Sequence, residues 1–210
     1  MIVVTSSLPF GRPRVERADA ARNREHLLDV AREMIAEVGV NRLTTDGLAE
    51  RAEVGKGTVF RRFGNRAGIF TALVDQADRE FQELVISGPA PLGPGADPVA
   101  RLVAYGRARV GFLFEHHAIV RAALDREQPV AIAGGGMSPT HIRMLLGQAR
   151  REGLLQITDL DTLAVQLAAA LEGPLLLYLG VDEDAAEDSA RRDDLADSWK
   201  ILVERLLTPR

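Results

Sequence analysis

The chain has 210 residues, enough for one large domain or two small ones with a core that needs no covalent staples. It contains no cysteine, which excludes disulfides, thiolate metal sites and a cysteine nucleophile, and its 46% hydrophobic and 27% charged content excludes a disordered chain. The net charge of −4 is unevenly spread: up to Arg66 there are 12 Lys and Arg against 9 Asp and Glu, and from Ala67 onward 14 against 21, so only the front of the chain suits a polyanion.

Residues 1–18 contain Pro, Gly and Ser without periodicity and have no charged stretch ahead of their apolar residues. They read as a flexible arm, not a secretory signal, and a cytoplasmic location is expected. Arg12, Arg14 and Arg17 give this arm a basic character suited either to a minor groove or to plain solvation. From Asn23 to Val38, Leu27, Ala31, Met34, Ile35 and Val38 fall three or four apart, one stripe of a helix, and Gly39 stops it. Two very short helices are expected between Asn41 and Phe63. A longer helix follows from Arg66 to about Val85, with Ile69, Phe70, Leu73, Val74, Ala77, Phe81 and Leu84 as its stripe. Ser87 to Ala96 holds three prolines and three glycines and is a loop.

The second half continues in the same style. Pro98 to about His116 reads as a helix, and His117 to about Arg126 as a separate short one. Gln128 to Pro139, with Gly134, Gly135 and Gly136, reads as a flexible connection. Thr140 to Glu152 is helical and stops at Gly153. Asp161 to Leu179 is a nearly all-apolar helix, interrupted by Gln166, Glu172, Gly173 and Pro174 and so no membrane span of about 20 apolar residues. Asp159 and Asp161 suit its N-terminus. Asp182, Glu183, Asp184, Glu187 and Asp188 read as a solvated loop, and a last helix runs from about Ser189 to Leu207. Helices without strands make an all-α fold: an N-terminal three-helix domain over 19–66 and a helical body of about six helices over 67–210.

The stretch from Asn41 to Arg66, NRLTTDGLAERAEVGKGTVFRRFGNR, carries the chemistry. Thr44 or Thr45 can cap a helix with the small apolar face Leu48, Ala49 and Ala52. Glu53, Val54 and Gly55 make a turn. A second helix from about Lys56 turns Val59 and Phe63 inward. Two helices joined by a tight turn, with a small residue (Ala49) where they cross, form a helix-turn-helix. The outward face of the second helix bears Lys56, Thr58, Arg61 and Arg62, with Gly57 open to close approach. That is a hydrogen-bonding cationic surface of the kind that enters a major groove, or else a solvated charged face.

These residues carry a resemblance. T-x-x-x-L-A, a short turn and K-G-T-V-F-x-x-F-x-N-R closely resemble the DNA-binding segment of the TetR family of bacterial transcriptional regulators. The likeness is detailed from about Asn23 to Leu73 and persists in layout beyond. It implies a DNA-binding regulator, most commonly a repressor released from its operator by a small molecule, with double-stranded operator DNA, an effector and a second copy of itself as partners. It places Thr45, Lys56, Gly57, Thr58, Phe60, Arg61, Arg62 and Arg66 at the DNA. The chain departs from the family pattern at Glu53, where glycine is usual, at Gly55, where Ser or Thr is usual, and at Phe60, where Tyr is usual. A helical small-molecule-binding or dimerisation module without a DNA role is the alternative reading.

Within the body, Tyr105, Arg109, Phe112 and His116 share one helix face. A face mixing aromatics with Arg and His suits a pocket with a few orienting polar groups. Met144, Gln148 and Gln166 are expected to line the opposite walls, and Glu172 or a ligand carboxylate to neutralise Arg109. Val99, Leu102, Val103, Gly106, Val110 and Leu113 form the better core face. The resemblance further implies a four-helix dimer bundle, with Ala168, Leu171, Gly173, Leu175, Trp199, Leu202 and Leu206 as contacts and a kink near Ala170 from Pro174. His116 and His117 diverge on a helix, and His26 and His141 lack partners at helical spacing, so no metal, cofactor or catalytic residue is expected.

Overall fold

The computed structural model describes residues 14–123, 137–178 and 185–207, without the side chains of 14–18, 175–178 and 185–188. The expected arm is therefore described only from residue 14, where it is already helical, and most of the 128–139 connection and the acidic loop after Val181 lie outside the described residues. Among the described residues there are eight α-helices and no strand. None of these helices is long and apolar enough to cross a membrane.

Contacts divide the chain into two compact units, Met1–Ile69 and Phe70–Arg210. The first holds α1 (Arg14–Val38), a 3₁₀ turn (Val40–Arg42), α2 (Thr45–Arg51), α3 (Lys56–Phe63) and the start of α4 (Arg66–Ser87). Gly39 ends α1 at a φ of +81°, a region an L side chain rarely occupies, and its N–H reaches the Ile35 carbonyl. Leu27, Leu28, Ala31, Leu43, Leu48, Ala49, Val59 and Ile69 are buried together as the core of this head. Two polar clasps fix its geometry. Arg51 on α2 grips both oxygens of Glu37 on α1 at 2.5 Å, which holds the Glu37 carboxyl below its usual range. The Arg24 guanidinium lies 6.0 Å from the centre of the Phe63 ring, tying α1 to the end of α3.

The second unit contains the rest of α4 and then α5 (Pro98–Ala123), α6 (Met137–Arg151), α7 (Leu160–Tyr178) and α8 (Ala185–Leu206). Asp97 caps α5, its Oδ1 accepting from the amides of Val99 and Ala100 at 3.0 Å. α5 is a single helix, not the two expected; no glycine or proline stands at His116–His117, and nothing in the residues there breaks the ladder. It packs on α6, α7 and α8, so both its faces are covered. Leu102, Tyr105, Val110 and Leu113 join Ile142, Leu145, Leu146, Leu167, Leu171, Trp199 and Val203 in one core. Gly106 is where α8 comes closest. The Trp199 indole N–H donates to the Leu102 carbonyl at 2.8 Å, and a Cβ on residue 106 would stand 1.9 Å from that nitrogen. α7 runs on through Pro174 to Tyr178.

Candidate nucleic-acid interface and effector region

In the head, Thr44 is the residue that caps α2: its Oγ1 accepts from the Gly47 amide at 3.0 Å. Thr45 is thereby the first helical residue, half-buried at the mouth of a groove. After α2, Ala49 O accepts from Val54 N at 2.9 Å, and Glu53 stands at φ +53°, the one non-glycine residue with positive φ among those described. Glutamate thus occupies a conformation that glycine adopts freely, at a strain of about 1 kcal/mol. Gly55 starts α3 without a side-chain cap.

The groove has a volume of about 540 Å³ and is lined by Thr44, Thr45, Asp46, Lys56, Gly57, Phe60, Gly64, Asn65 and Arg66. It gathers the first residues of α2, the outer face of α3 and the turn before α4. Lys56 points out with its Nζ 2.6 Å from Asp46 Oδ2, both side chains more than half exposed. Phe60 is 69% exposed, an aromatic ring presented to water at the edge of the groove. Arg61 and Arg62 are exposed, Arg61 also donating to Thr58 Oγ1 at 3.2 Å. Arg66 is placed differently from the other cations. Its Nε donates to Leu43 O at 2.6 Å and its Nη2 to Val40 O at 2.7 Å, so its guanidinium closes the 3₁₀ turn onto the start of α4. The Val40 carbonyl already accepts from the Leu43 amide, and Arg66 adds a second donor to it and one to the Leu43 carbonyl, a role that nothing in the local sequence marks.

In the body, the face of α5 expected to line a pocket is largely interior. Tyr105 is fully buried and Phe112 nearly so. The Tyr105 hydroxyl donates to Ser138 Oγ at 2.7 Å, and Ser138 donates to Glu172 Oε1 at 2.7 Å. Burial pushes the Tyr105 hydroxyl up to about 12, against the opposing pull of the Ser138 bond. Arg109 donates to Asp78 Oδ1 at 2.8 Å and to Glu172 Oε1 at 3.2 Å, with its guanidinium carbon 4.9 Å from the Phe112 ring centre and 5.6 Å from that of Phe81. Two carboxylates therefore neutralise Arg109, and no ligand carboxylate is needed there. His116 stacks on Phe112 at 4.4 Å, and its Nδ1 and that of His117 bond to local helix carbonyls. The sequence pattern did not single out Ser138 or Asp78, because a lone Ser and a lone Asp on helices bear no motif.

Other expected positions are corrected by helical phase. The buried stripe of α6 is Ser138, His141, Ile142, Leu145, Leu146 and Ala149. That turns Met144 outward, 49% exposed, and leaves Gln148 bonded to Glu152 at the surface. Gln166 on α7 is likewise exposed. These three do not face the Tyr105–Arg109 cluster. Among the expected dimer contacts, Ala168, Leu171 and Trp199 are buried in the chain's own core. Gly173 and Leu206 are half-buried, Leu202 is 42% exposed, and the Leu175 side chain lies outside the described ones. Among the described side chains, the apolar residues that α7 and α8 turn outward include Val165, Ala169, Ile201 and Leu202, with Val165 at 58% and Ile201 at 59% exposed. A cleft of about 110 Å³ between the two helices is lined by Val110, Ala170, Leu171, Pro174, Leu195, Ser198, Trp199 and Leu202.

Two short helices joined by a tight turn, with Ala49 buried and a groove beside an exposed cationic helix, define a helix-turn-helix head. Residues 27–73 match the family described as bacterial regulatory proteins, tetR family. An uncharacterised HTH-type transcriptional regulator of Bacillus subtilis, YvkB, is 36% identical over 52 residues, 25% of this chain and 28% of that protein. The match thus spans little more than a quarter of that curated relative. The fold is shared over the full length. A TetR-family transcriptional regulator from Pectobacterium atrosepticum superposes with a TM-score of 0.75 at 22% identity, over 95% of this chain and all of that one. The regulatory protein TetR from Rhodobacter sphaeroides gives a TM-score of 0.57 at 22% identity, over 89% of this chain and 99% of that one. The head therefore matches the tetR family of bacterial regulatory proteins in sequence, and the chain shares its fold with solved regulators of that family.

Proposed function

We propose that the chain is a DNA-binding transcriptional regulator that acts as a homodimer and is released from its operator by a small molecule bound in the body. The observation that carries the reading is the groove of the head, where the start of α2 and the exposed face of α3 present Thr45, Lys56, Gly57 and Phe60 together. A recognition helix in the major groove needs hydrogen-bonding and cationic side chains on one face and a second helix against the phosphates. In this reading Arg61 and Arg62 reach base edges or phosphates, and Thr58 supports Arg61. Phe60 lays its ring against a sugar or a thymine methyl, since it lacks the hydroxyl that would bond a phosphate. Arg66 acts on the DNA only through the turn that it holds.

Release by an effector is a matter of linkage: a ligand that prefers the body conformation in which the heads fit DNA poorly weakens DNA binding by its differential affinity. The exposed apolar residues Val165, Ala169 and Ile201 support self-association through α7 and α8. Two heads about 34 Å apart, or a small multiple of that, then read a roughly palindromic site. The test is fluorescence anisotropy with the duplex from the intergenic region upstream of the chain's own gene. Saturable binding that weakens steeply with salt and shields a palindromic footprint is expected; binding no tighter than to a shuffled duplex of the same composition refutes the reading.

A further inference from the structure

Most buried polar groups of the body are satisfied within the Tyr105–Ser138–Glu172–Arg109–Asp78 network. Two are not. Arg101, on the first turn of α5, is buried to 9% exposure, and His141 on α6 to 6%. Arg101 Nε and His141 Nε2 are both fully enclosed and make no hydrogen bond. No carboxylate among the described residues lies within ion-pair distance of Arg101. The nearest acid in the sequence, Asp97, has its Oδ1 bonded to the amides of Val99 and Ala100. Glu172 and Asp78 are engaged at Arg109, two turns or about 12 Å further along the helix. The first turn of a helix is itself electropositive, so the Arg101 charge gains nothing from its own backbone.

A guanidinium whose Nε is enclosed without a partner and which has no ion-pair partner among the described residues carries a desolvation cost that a bound anion would offset. Beside it, His141 is held neutral at physiological pH. Burial, and then the Arg101 charge, press its pKa down to about 4. A neutral imidazole beside a fixed cation is an acceptable second hydrogen-bond donor for an anion and a poor site for a metal cation. The neighbouring side chains are apolar and aromatic: Leu102 and Ile142 are wholly buried, and the Tyr105 ring, one turn from Arg101 on α5, lies 4.8 Å from that of His141 and 5.8 Å from that of Phe81. One positive charge in such apolar surroundings suits a singly charged anion on an apolar body better than a strongly hydrated phosphate.

We propose that Arg101 and His141 form the anion-holding end of a binding site in the body that takes an organic monocarboxylate, with the guanidinium on the carboxylate oxygens and the His141 Nε2–H on one of them. The site stands on these two side chains; only its role as the effector site rests on the regulator reading above.

The experiment is calorimetric titration of the purified full-length chain with hexanoate and with benzoate, and with hexylamine and inorganic phosphate as comparisons. One carboxylate per chain is expected, with no binding of the amine and phosphate weaker than either carboxylate. Arg101→Met should weaken carboxylate binding at least about tenfold, since a charge-assisted pair is lost, while the ligand-free variant melts at or above the wild-type temperature because an unpaired buried charge has gone. Arg101→Lys keeps the charge, loses the planar fork and should bind more weakly than wild type on an intact fold, which preserves the test if the methionine variant does not fold. Absence of carboxylate binding at millimolar concentration, wild-type affinity in both variants, or phosphate binding tighter than both carboxylates overturns the site. DNA release is read separately by anisotropy. Carboxylate binding without release leaves the site standing and removes its effector role. A chain that never binds DNA overturns the regulator reading, and the site then stands or falls by the titration alone.

Discussion

Lys56 is one of only two lysines in the chain and the first residue of α3. In the head its ammonium pairs with Asp46 at 2.6 Å, with side chains 72% and 63% exposed. An exposed pair of this kind is worth at most about 1 kcal/mol and is readily exchanged for a phosphate. If Lys56 neutralises one phosphate per head, Lys56→Ala lowers the slope of log affinity against log salt by about 0.9 for one bound head and about 1.8 for two. Over a fourfold rise in salt, the wild type then loses roughly 3.5-fold more affinity than the variant with one head bound, and roughly 12-fold more with two. Asp46→Asn removes the competing carboxylate from the groove and frees the ammonium, so it should tighten binding a few-fold with little change in slope. Anisotropy titrations at three or more salt concentrations measure both. An unchanged slope in Lys56→Ala removes Lys56 from the phosphates. Weaker binding by Asp46→Asn would show that the carboxylate orients Lys56 rather than competing for it.

Gly106→Ala drives a methyl group to within 1.9 Å of the Trp199 indole nitrogen. Displacing the indole and its bond to Leu102 should cost about 2–4 kcal/mol, against about 1 kcal/mol gained from helix propensity; a urea midpoint at or above wild type contradicts the packing. His141 takes up its proton near pH 4 when folded, against an ordinary 6.5, so between these values the unfolded chain binds more protons and stability rises with pH. Denaturation midpoints should therefore fall as pH drops from about 6.5 toward 4, by up to about 1.4 kcal/mol per pH unit from this group, and His141→Leu should flatten that fall. Glu53→Gly relieves the positive φ and should raise head stability by about 0.5–1 kcal/mol; an unchanged melting temperature shows that the strain is already relaxed.

The helices of this chain were legible because their apolar residues recur at three and four, and Gly39 and the Pro/Gly-rich loop of Ser87–Ala96 punctuate them. That a threonine caps α2 and that Ala49 is buried follow from residue type, whereas the choice of Thr44 over Thr45 does not. What escaped was relational. A boundary was expected between His116 and His117, yet Ala118, Ile119 and Val120 carry α5 on to Ala123. The role of Arg66 depends on carbonyls of residues 40 and 43, more than twenty positions away in sequence. The partners of Arg109 lie on α4 and α7, and of these only Glu172 stood out in an apolar run. Arg101 and His141 are single polar residues on amphipathic helices, and only burial distinguishes them from solvated ones.

The phase of α7 and α8 carries the last step. In an almost wholly apolar helix, composition does not tell which face the chain's own core takes. The core takes Leu160, Ala164, Leu167, Ala168 and Leu171 on α7, and Ala196, Trp199 and Val203 on α8. That leaves Val165 and Ala169, and Ile201 and Leu202, facing water. In the proposed homodimer a second copy of the same two helices covers this face with matching apolar and small residues. Ile201→Glu places a charge on that uncovered face without touching the core. It should leave the melting behaviour of the single chain intact and shift the mass in light scattering from two chains to one. Because one head then binds alone, the salt-slope change on adding Lys56→Ala should fall from about 1.8 to about 0.9. A variant that still scatters as a dimer removes Ile201 from the interface. If the variant is a monomer whose slope change stays near 1.8, the phosphate contacts do not come one per head, and the two-headed reading fails.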